Sequence, residues 1–230
     1  MSKSVIIIGG GKSVRDGINT GLWDKIKDME VWGLNYAYKL YPHKLDRQLF
    51  VDFNFYRSNE EELQKLAATG VPFHAKKHSK FRVMDVPFIT AYNSVREQGG
   101  FRGKDALKEP PEAHIFVGRL GLVGTFSLSL AIAEGYDTIY LLGYDFGTPE
   151  FKDRDTHWYQ GQIDVKSSGV GRPTVYYQPD ATLKNQVKDY DVFPKVEGVN
   201  IYNVSPLSNI QCLKKINYSE FYNLIGGKDE

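Results

Sequence analysis

Apolar positions in this chain fall into short unbroken runs, separated by glycine-rich or acidic turns and by stretches of helical spacing. Ser4–Ile8 is a β-branched apolar run and predicts a first strand covered on both faces. Gly9-Gly10-Gly11-Lys12-Ser13 follows at once. Val14, Ile18, Leu22, Trp23 and Ile26 then recur at helical spacing, predicting a helix capped by Ser13 or Asp16. Val31–Leu34 predicts a second strand ending at Asn35, and Gln48–Val51 a third ending at Asp52. A helix around Glu60–Ala68 and a short fourth strand over Val71–His74 complete this rhythm. From Lys76 to Ala113 it lapses into irregular rim structure with at most one strand near the apolar patch Val86–Ile89. Ile115–Val117 predicts a strand leading into the stretch around which the chain is organised, Leu120–Gly147.

Within that stretch Val123–Glu134 predicts an amphipathic helix terminated by Gly135, and Thr138–Leu142 a buried strand. Gly143-Tyr144-Asp145-Phe146-Gly147 then places a carboxylate just beyond the strand's carboxyl end, the edge where open α/β sheets bind ligands. Thr148–Pro179 lacks clear periodicity, and a run of that length predicts a lid or binding loop. Ala181–Tyr190 predicts a helix, Val199–Val204 a last core strand, and Ser219–Ile225 a closing helix capped by Ser219. The fold class is therefore α/β: a single doubly wound, mostly parallel Rossmann-like sheet over residues 1–230. A lid or loop insertion over 148–180 follows the fifth or sixth strand.

Composition narrows the function classes. With 41% hydrophobic and 25% charged residues, the chain has the make-up of a soluble globular domain. A net charge of +1 gives no bulk attraction to nucleic acid or to a membrane surface. No apolar run approaches the roughly 18 residues of a membrane span. Cys212 is the only cysteine, which excludes an internal disulfide and a cysteine-based zinc site and fits a cytoplasmic protein.

Candidate chemistry sits at the strand ends, and each group has a plainer alternative. The Gly9–Gly11 loop with Ser13 offers N–H groups and a helix dipole to an anion, or is only a tight turn. Asn35 suits reading a base or ribose edge, or caps the next turn. Asp52 suits a ribose hydroxyl or a metal, or caps the following helix. Asp145 suits a ligand, or braces its own turn. His157, in Thr156-His157-Trp158-Tyr159, suits a general base, or is an idle loop residue. The basic run Lys76, Lys77, Lys80 and Arg82 reads as a solvated face.

Taken together, a first strand with GGGxS, a second ending in Asn-Tyr, a third ending in Asp, and Ala131-Ile132-Ala133 leading through Gly135-Tyr136 to Gly143 and Asp145-Phe146 form a pattern. It resembles the bacterial CMP-sialic-acid-dependent sialyltransferases. It is also similar to a wider superfamily holding motility-associated glycosyltransferases, hydroxymethyl-dihydropterin pyrophosphokinases and small phage-borne relatives. The resemblance implies that Gly9, Gly10, Gly11 and Asn35 contact a nucleotide, and that Gly124 and Thr125 line its phosphate and ribose beside Gly143. Val123 stands where those sialyltransferases carry a serine, leaving Thr125 or Ser127 to substitute. Gly147 stands where they carry a phosphate-steadying tyrosine, leaving Tyr159, Tyr176 or Tyr177 to supply that contact. His157 matches the family's base, at a shorter spacing.

The leading expectation is a metal-independent glycosyltransferase acting from a nucleotide-sugar of the CMP-sugar type, on a small-molecule or glycan acceptor, with His157, Asp145 and Tyr159 at the reacting centre. It requires no cofactor and no metal. The alternatives are a pyrophosphokinase-like transferase using ATP with Mg²⁺ at Asp52 and Asp145, and a non-catalytic nucleotide binder. A lid this long can be completed by a neighbouring subunit, so a homo-oligomer is compatible with the chain.

Overall fold

Val5 and Ile7 leave the first strand on one side and Ile6 and Ile8 on the other, and both sets are wholly buried. A strand that is apolar at every position must be covered on both faces, and the rest of the fold supplies the covers. The computed structural model describes residues 2–76, 86–92, 122–146, 157–158 and 186–226. Strands β1 (Ser4–Ile8), β2 (Val31–Leu34), β3 (Arg47–Phe50), β4 (Phe73–Lys76), β5 (Ile89–Tyr92), β6 (Thr138–Leu142), β7 (Asn200–Asn203) and β8 (Lys214–Lys215) form one sheet. Its order is β5-β4-β3-β2-β1-β6-β7-β8, and every described pair is parallel.

The helices are α1 (Val14–Asn19), α2 (Leu22–Ile26), α3 (Phe53–Ala68), α4 (Val123–Ala133) and α5 (Tyr218–Gly226). One face of the sheet packs Ile6, Ile8, Phe50, Phe73 and Leu142 against α1, α2, α3 and α5 through Val14, Leu22, Leu63 and Phe221. The other packs Val5, Ile7, Leu34, Leu49 and Leu141 against α4 and the segment around Tyr190 and Phe193. This is the doubly wound α/β arrangement the alternation predicts. The chain lays β2 to β5 outward on one side of β1, then returns to place β6 on its other side, so the order reverses between β1 and β6.

Several elements differ from the sequence reading. The expected helix from Val14 to Ile26 is broken at Gly21, which takes φ +79°, while the Thr20 hydroxyl donates back to the Gly17 carbonyl at 2.9 Å. α4 is not amphipathic: every residue from Gly124 to Ala133 is buried. Its serines are accommodated because Ser127 and Ser129 donate to the carbonyls of Gly124 and Thr125 at 2.8 and 2.9 Å. The helix expected from Glu60 follows a kink at Asn59 (φ −124°, ψ 15°), and α3 also includes an unexpected segment before it that begins at Phe53, where Asp52 accepts the Asn54 N–H at 2.8 Å. Strand β3 starts one residue early and β4 two residues late relative to expectation.

The cap of α5 is Asn217, not Ser219. Asn217 Oδ1 accepts the Glu220 N–H at 2.9 Å, and Glu220 Oε2 accepts the Asn217 N–H at 2.8 Å, a reciprocal capping box. Strand β8, made of two lysines, was not expected at all. The strand expected at Ile115–Val117 lies outside the described residues. So does the first half of the Ala181–Tyr190 helix; of the rest, residues 186–187 are helical and lead into a 3₁₀ turn at Lys188–Tyr190.

Candidate active site

At the reversal, the loop leaving β1 lies directly on the loop leaving β6. The Gly9 N–H donates to the Leu142 carbonyl at 2.7 Å, and the Gly11 N–H to the Gly143 carbonyl at 2.8 Å. Glycine is required at Gly11, because a Cβ there would stand 2.5 Å from Asp145 Oδ2 and 2.6 Å from the Gly143 carbonyl oxygen. It is required again at Gly143, which has φ +69° and whose Cβ would meet Val14 at 2.7 Å. In this structure the glycines let two parts of the chain approach each other.

Asp145 fills the space that Gly11 leaves. It is buried, accepts the Ser13 N–H at 2.9 Å on Oδ2, and accepts the Ser13 hydroxyl on Oδ1. Ser205 adds a further side-chain hydrogen bond. Burial raises the Asp145 pKa above the ordinary carboxylate value, and the Ser13 and Ser205 hydrogen bonds offset part of that rise. The N–H at the start of α1, which a dinucleotide-binding loop turns toward phosphate, here faces the chain's own carboxylate. Ser13 makes no side-chain cap within α1, since its hydroxyl is directed to Asp145.

His157 reaches the same place. Its backbone forms an antiparallel bridge with Gly11, and the next residue, Trp158, donates its N–H to the Gly10 carbonyl at 2.9 Å. The Trp158 ring is buried in the cluster that holds Ile8 and Val14. Burial pushes the His157 pKa down from 6.5 to about 4, so the imidazole is neutral at physiological pH. The structure thus gathers Gly9, Gly10, Gly11, Ser13, Gly143, Asp145 and the His157 backbone at the carboxyl ends of β1 and β6. Tyr159, Tyr176, Tyr177 and the remainder of the expected 148–180 lid lie outside the described residues.

The other candidates lie along the same sheet edge or away from it. Asn35 follows β2 with φ +49°; its carbonyl accepts Gln48 Nε2 at 2.8 Å, and its own Oδ1 is buried without a partner among the described residues. Gly124 and Thr125 form the first turn of α4, which has no side-chain cap. A Cβ on Gly124 would meet the Tyr190 hydroxyl at 2.3 Å. Thr125 donates to the Leu122 carbonyl at 3.0 Å, and Ser127 lies 2.9 Å from the Tyr144 hydroxyl, so both candidate replacements for the missing serine are engaged locally. Asp52 is exposed and caps α3, the plainer of its readings.

Sequence reasoning missed the residues that brace the exit of β6. Tyr144 O accepts Ser208 Oγ at 2.7 Å and Asn203 Nδ2 at 3.2 Å; Asn209 donates its N–H to Asp145 O at 2.9 Å and its Nδ2 to Phe146 O at 3.0 Å. These contacts hold Phe146 at φ +53°, an unfavourable conformation for an aromatic residue. The sequence signal was only that residues 203–209 end and follow the last predicted core strand; the adjacency of that strand to β6 comes from the structure. No cluster of metal-binding side chains occurs among the described residues, and no described helix is long and apolar enough to cross a membrane.

A solved structure of a Maf glycosyltransferase from Magnetospirillum magneticum AMB-1 superposes on 94% of this chain with a TM-score of 0.57 and 17% identity. At that identity the likeness establishes a shared fold. The match covers 34% of the neighbour, so this chain spans about a third of that protein's length. No protein-family model and no curated sequence matches the chain.

Proposed function

We propose that this chain is a nucleotide-dependent transferase, specifically a metal-independent glycosyltransferase using a nucleotide-sugar of the CMP-sugar type with His157 as base. The observation that carries the reading is the backbone bridge between His157 and Gly11, at the point where the strand order reverses. A neutral imidazole there suits removal of the proton from an acceptor hydroxyl as its oxygen attacks the sugar. The bond from sugar to phosphate breaks, and the phosphate leaves with the bonding electron pair. Charge developing on that phosphate is met by preorganised donors: the first-turn N–H groups of α4 at Gly124 and Thr125, and Tyr159, Tyr176 or Tyr177. Asn35, with its buried side-chain oxygen, serves the nucleoside. Asp145 and Ser13 shape the crevice wall. The shared fold with a glycosyltransferase supports the reading.

The Mg-ATP alternative needs Asp52 and Asp145 available to a metal. Asp145 is buried with both oxygens engaged by Ser13, so the metal-independent reading is preferred. The deciding experiment is a thermal-shift panel of CMP, CDP, UDP, GDP and ATP, each with Mg²⁺ and with EDTA, on wild type and His157→Ala. A ligand at about 100 Kd adds about 2.7 kcal/mol, a readable shift. CMP stabilisation indifferent to EDTA and retained in the variant, with turnover lost, supports the reading. A response to ATP only with Mg²⁺ overturns it in favour of a kinase-like transferase, and silence across the panel removes the nucleotide site.

A further inference from the structure

His157 and Trp158 are held to the β1 loop by main-chain contacts to Gly10 and Gly11, which are indifferent to sequence. Backbone pairing alone does not set register, since a slip of one residue preserves the hydrogen bonds while turning every side chain to the opposite face. Two further contacts remove that freedom. The Trp158 indole is buried, 3% exposed, in the core cluster with Ile8 and Val14. The Trp158 carbonyl accepts Arg15 Nη2 at 2.8 Å. Arg15 stands in the first turn of α1, half-buried, and no carboxylate pairs with it among the described residues. A guanidinium–carbonyl hydrogen bond is charge-assisted, and it ties this dipeptide to the N-terminal end of a helix that Ser13 anchors on Asp145 at that same end.

We propose that Arg15 is a positioning residue for His157: gripping the Trp158 carbonyl from α1, it fixes the backbone that carries the imidazole beside Gly11. It touches no reacting atom. The grip stands independently of the function proposed above; its consequence for turnover rests on that reading.

The test compares Arg15→Ala, Arg15→Met and Arg15→Lys with wild type. Met keeps the aliphatic stem without a donor, and therefore serves if the alanine variant does not fold. The primary readouts need no substrate. They are the His157 ring resonances at one pH, assigned by their absence in His157→Ala, and the Trp158 emission, assigned by difference from Trp158→Phe. We expect displaced His157 resonances and red-shifted Trp158 emission in the alanine and methionine variants, with Lys restoring most of both. Unchanged signals in a folded methionine variant overturn the proposal. With a CMP-sugar donor, kcat should fall roughly ten- to a hundredfold with donor KM nearly constant. Displaced signals in a protein whose wild type shows no sugar transfer uphold Arg15's role and overturn the glycosyltransferase reading instead.

Discussion

Ser13 and Asp145 stand 132 positions apart in the chain, and Ser13 gives the Asp145 carboxylate both its N–H and its hydroxyl proton. The pair joins the start of α1 to the exit of β6. Asp145→Ala strands a buried N–H and hydroxyl, and should cost about 3 kcal/mol in urea unfolding. Ser13→Ala keeps the N–H contact and should cost about 1–2 kcal/mol. Because the two groups share one interaction, the double variant should cost less than the sum, by at least about 0.5 kcal/mol. Strict additivity would mean that the contact contributes nothing in solution.

Stability should decline on mild acidification. His74 is buried and His157 partly buried, and desolvation pushes the pKa of each down from 6.5 to about 4. Between those values the unfolded chain binds more protons than the native one. The contribution is therefore complete above pH 6.5 and lost as pH falls toward 4, up to about 3 kcal/mol per ring. Asp145 acts in the opposite sense, because burial raises its pKa. Urea titrations at pH 7 and pH 5 should show the loss, and His74→Gln should flatten it.

The same shift governs turnover. If His157 is the base, the acid limb of the kcat/KM profile, which reports the free enzyme, should lie near pH 4. A limb centred near pH 6.5 would mean that the working base is a solvated histidine rather than this partly buried one.

Gly124 and Tyr190 give a steric test. A methyl at Gly124 would lie 2.3 Å from the Tyr190 hydroxyl, which is buried without a partner among the described residues. Gly124→Ala should therefore cost about 2 kcal/mol through overpacking. Tyr190→Phe should be neutral within about 1 kcal/mol, and should recover part of the loss when combined with it. Calorimetric melts of the three variants decide this.

For α5, Asn217→Ala should cost about 1 kcal/mol and Ser219→Ala should be nearly silent. The reverse order would restore Ser219 as the cap.

Where local chemistry dictates structure, the sequence was legible. β1, β2 and β6 lie where their apolar runs predict, because a run buried on both faces has few other conformations open to it. The doubly wound parallel sheet followed from the βα rhythm, whereas the strand order, with its reversal between β1 and β6, did not. What stayed hidden depends on distant partners. The alternation at α4 looked amphipathic because Ser127 and Ser129 count as polar, yet their hydroxyls are satisfied by the helix itself. Lys214 and Lys215 carry no strand signal; β7 gives them their pairing. Asp145 was identified as a candidate by position, but nothing near it in the chain announces Ser13.

The central pairing also bears on how the chain is made. Ser4 through Ile8 pairs with Thr138 through Leu142, so one edge of β1 has its native partner only after roughly 130 further residues have been synthesised. During translation β2 can already protect the opposite edge. Until β6 emerges, the bare edge is an apolar template with unpaired N–H and C=O groups, open to pairing with another nascent chain. A strand that ends sheltered in the middle of the native sheet is thus hazardous during biosynthesis, and ribosome-bound chains ending before β6 are where chaperone dependence should concentrate.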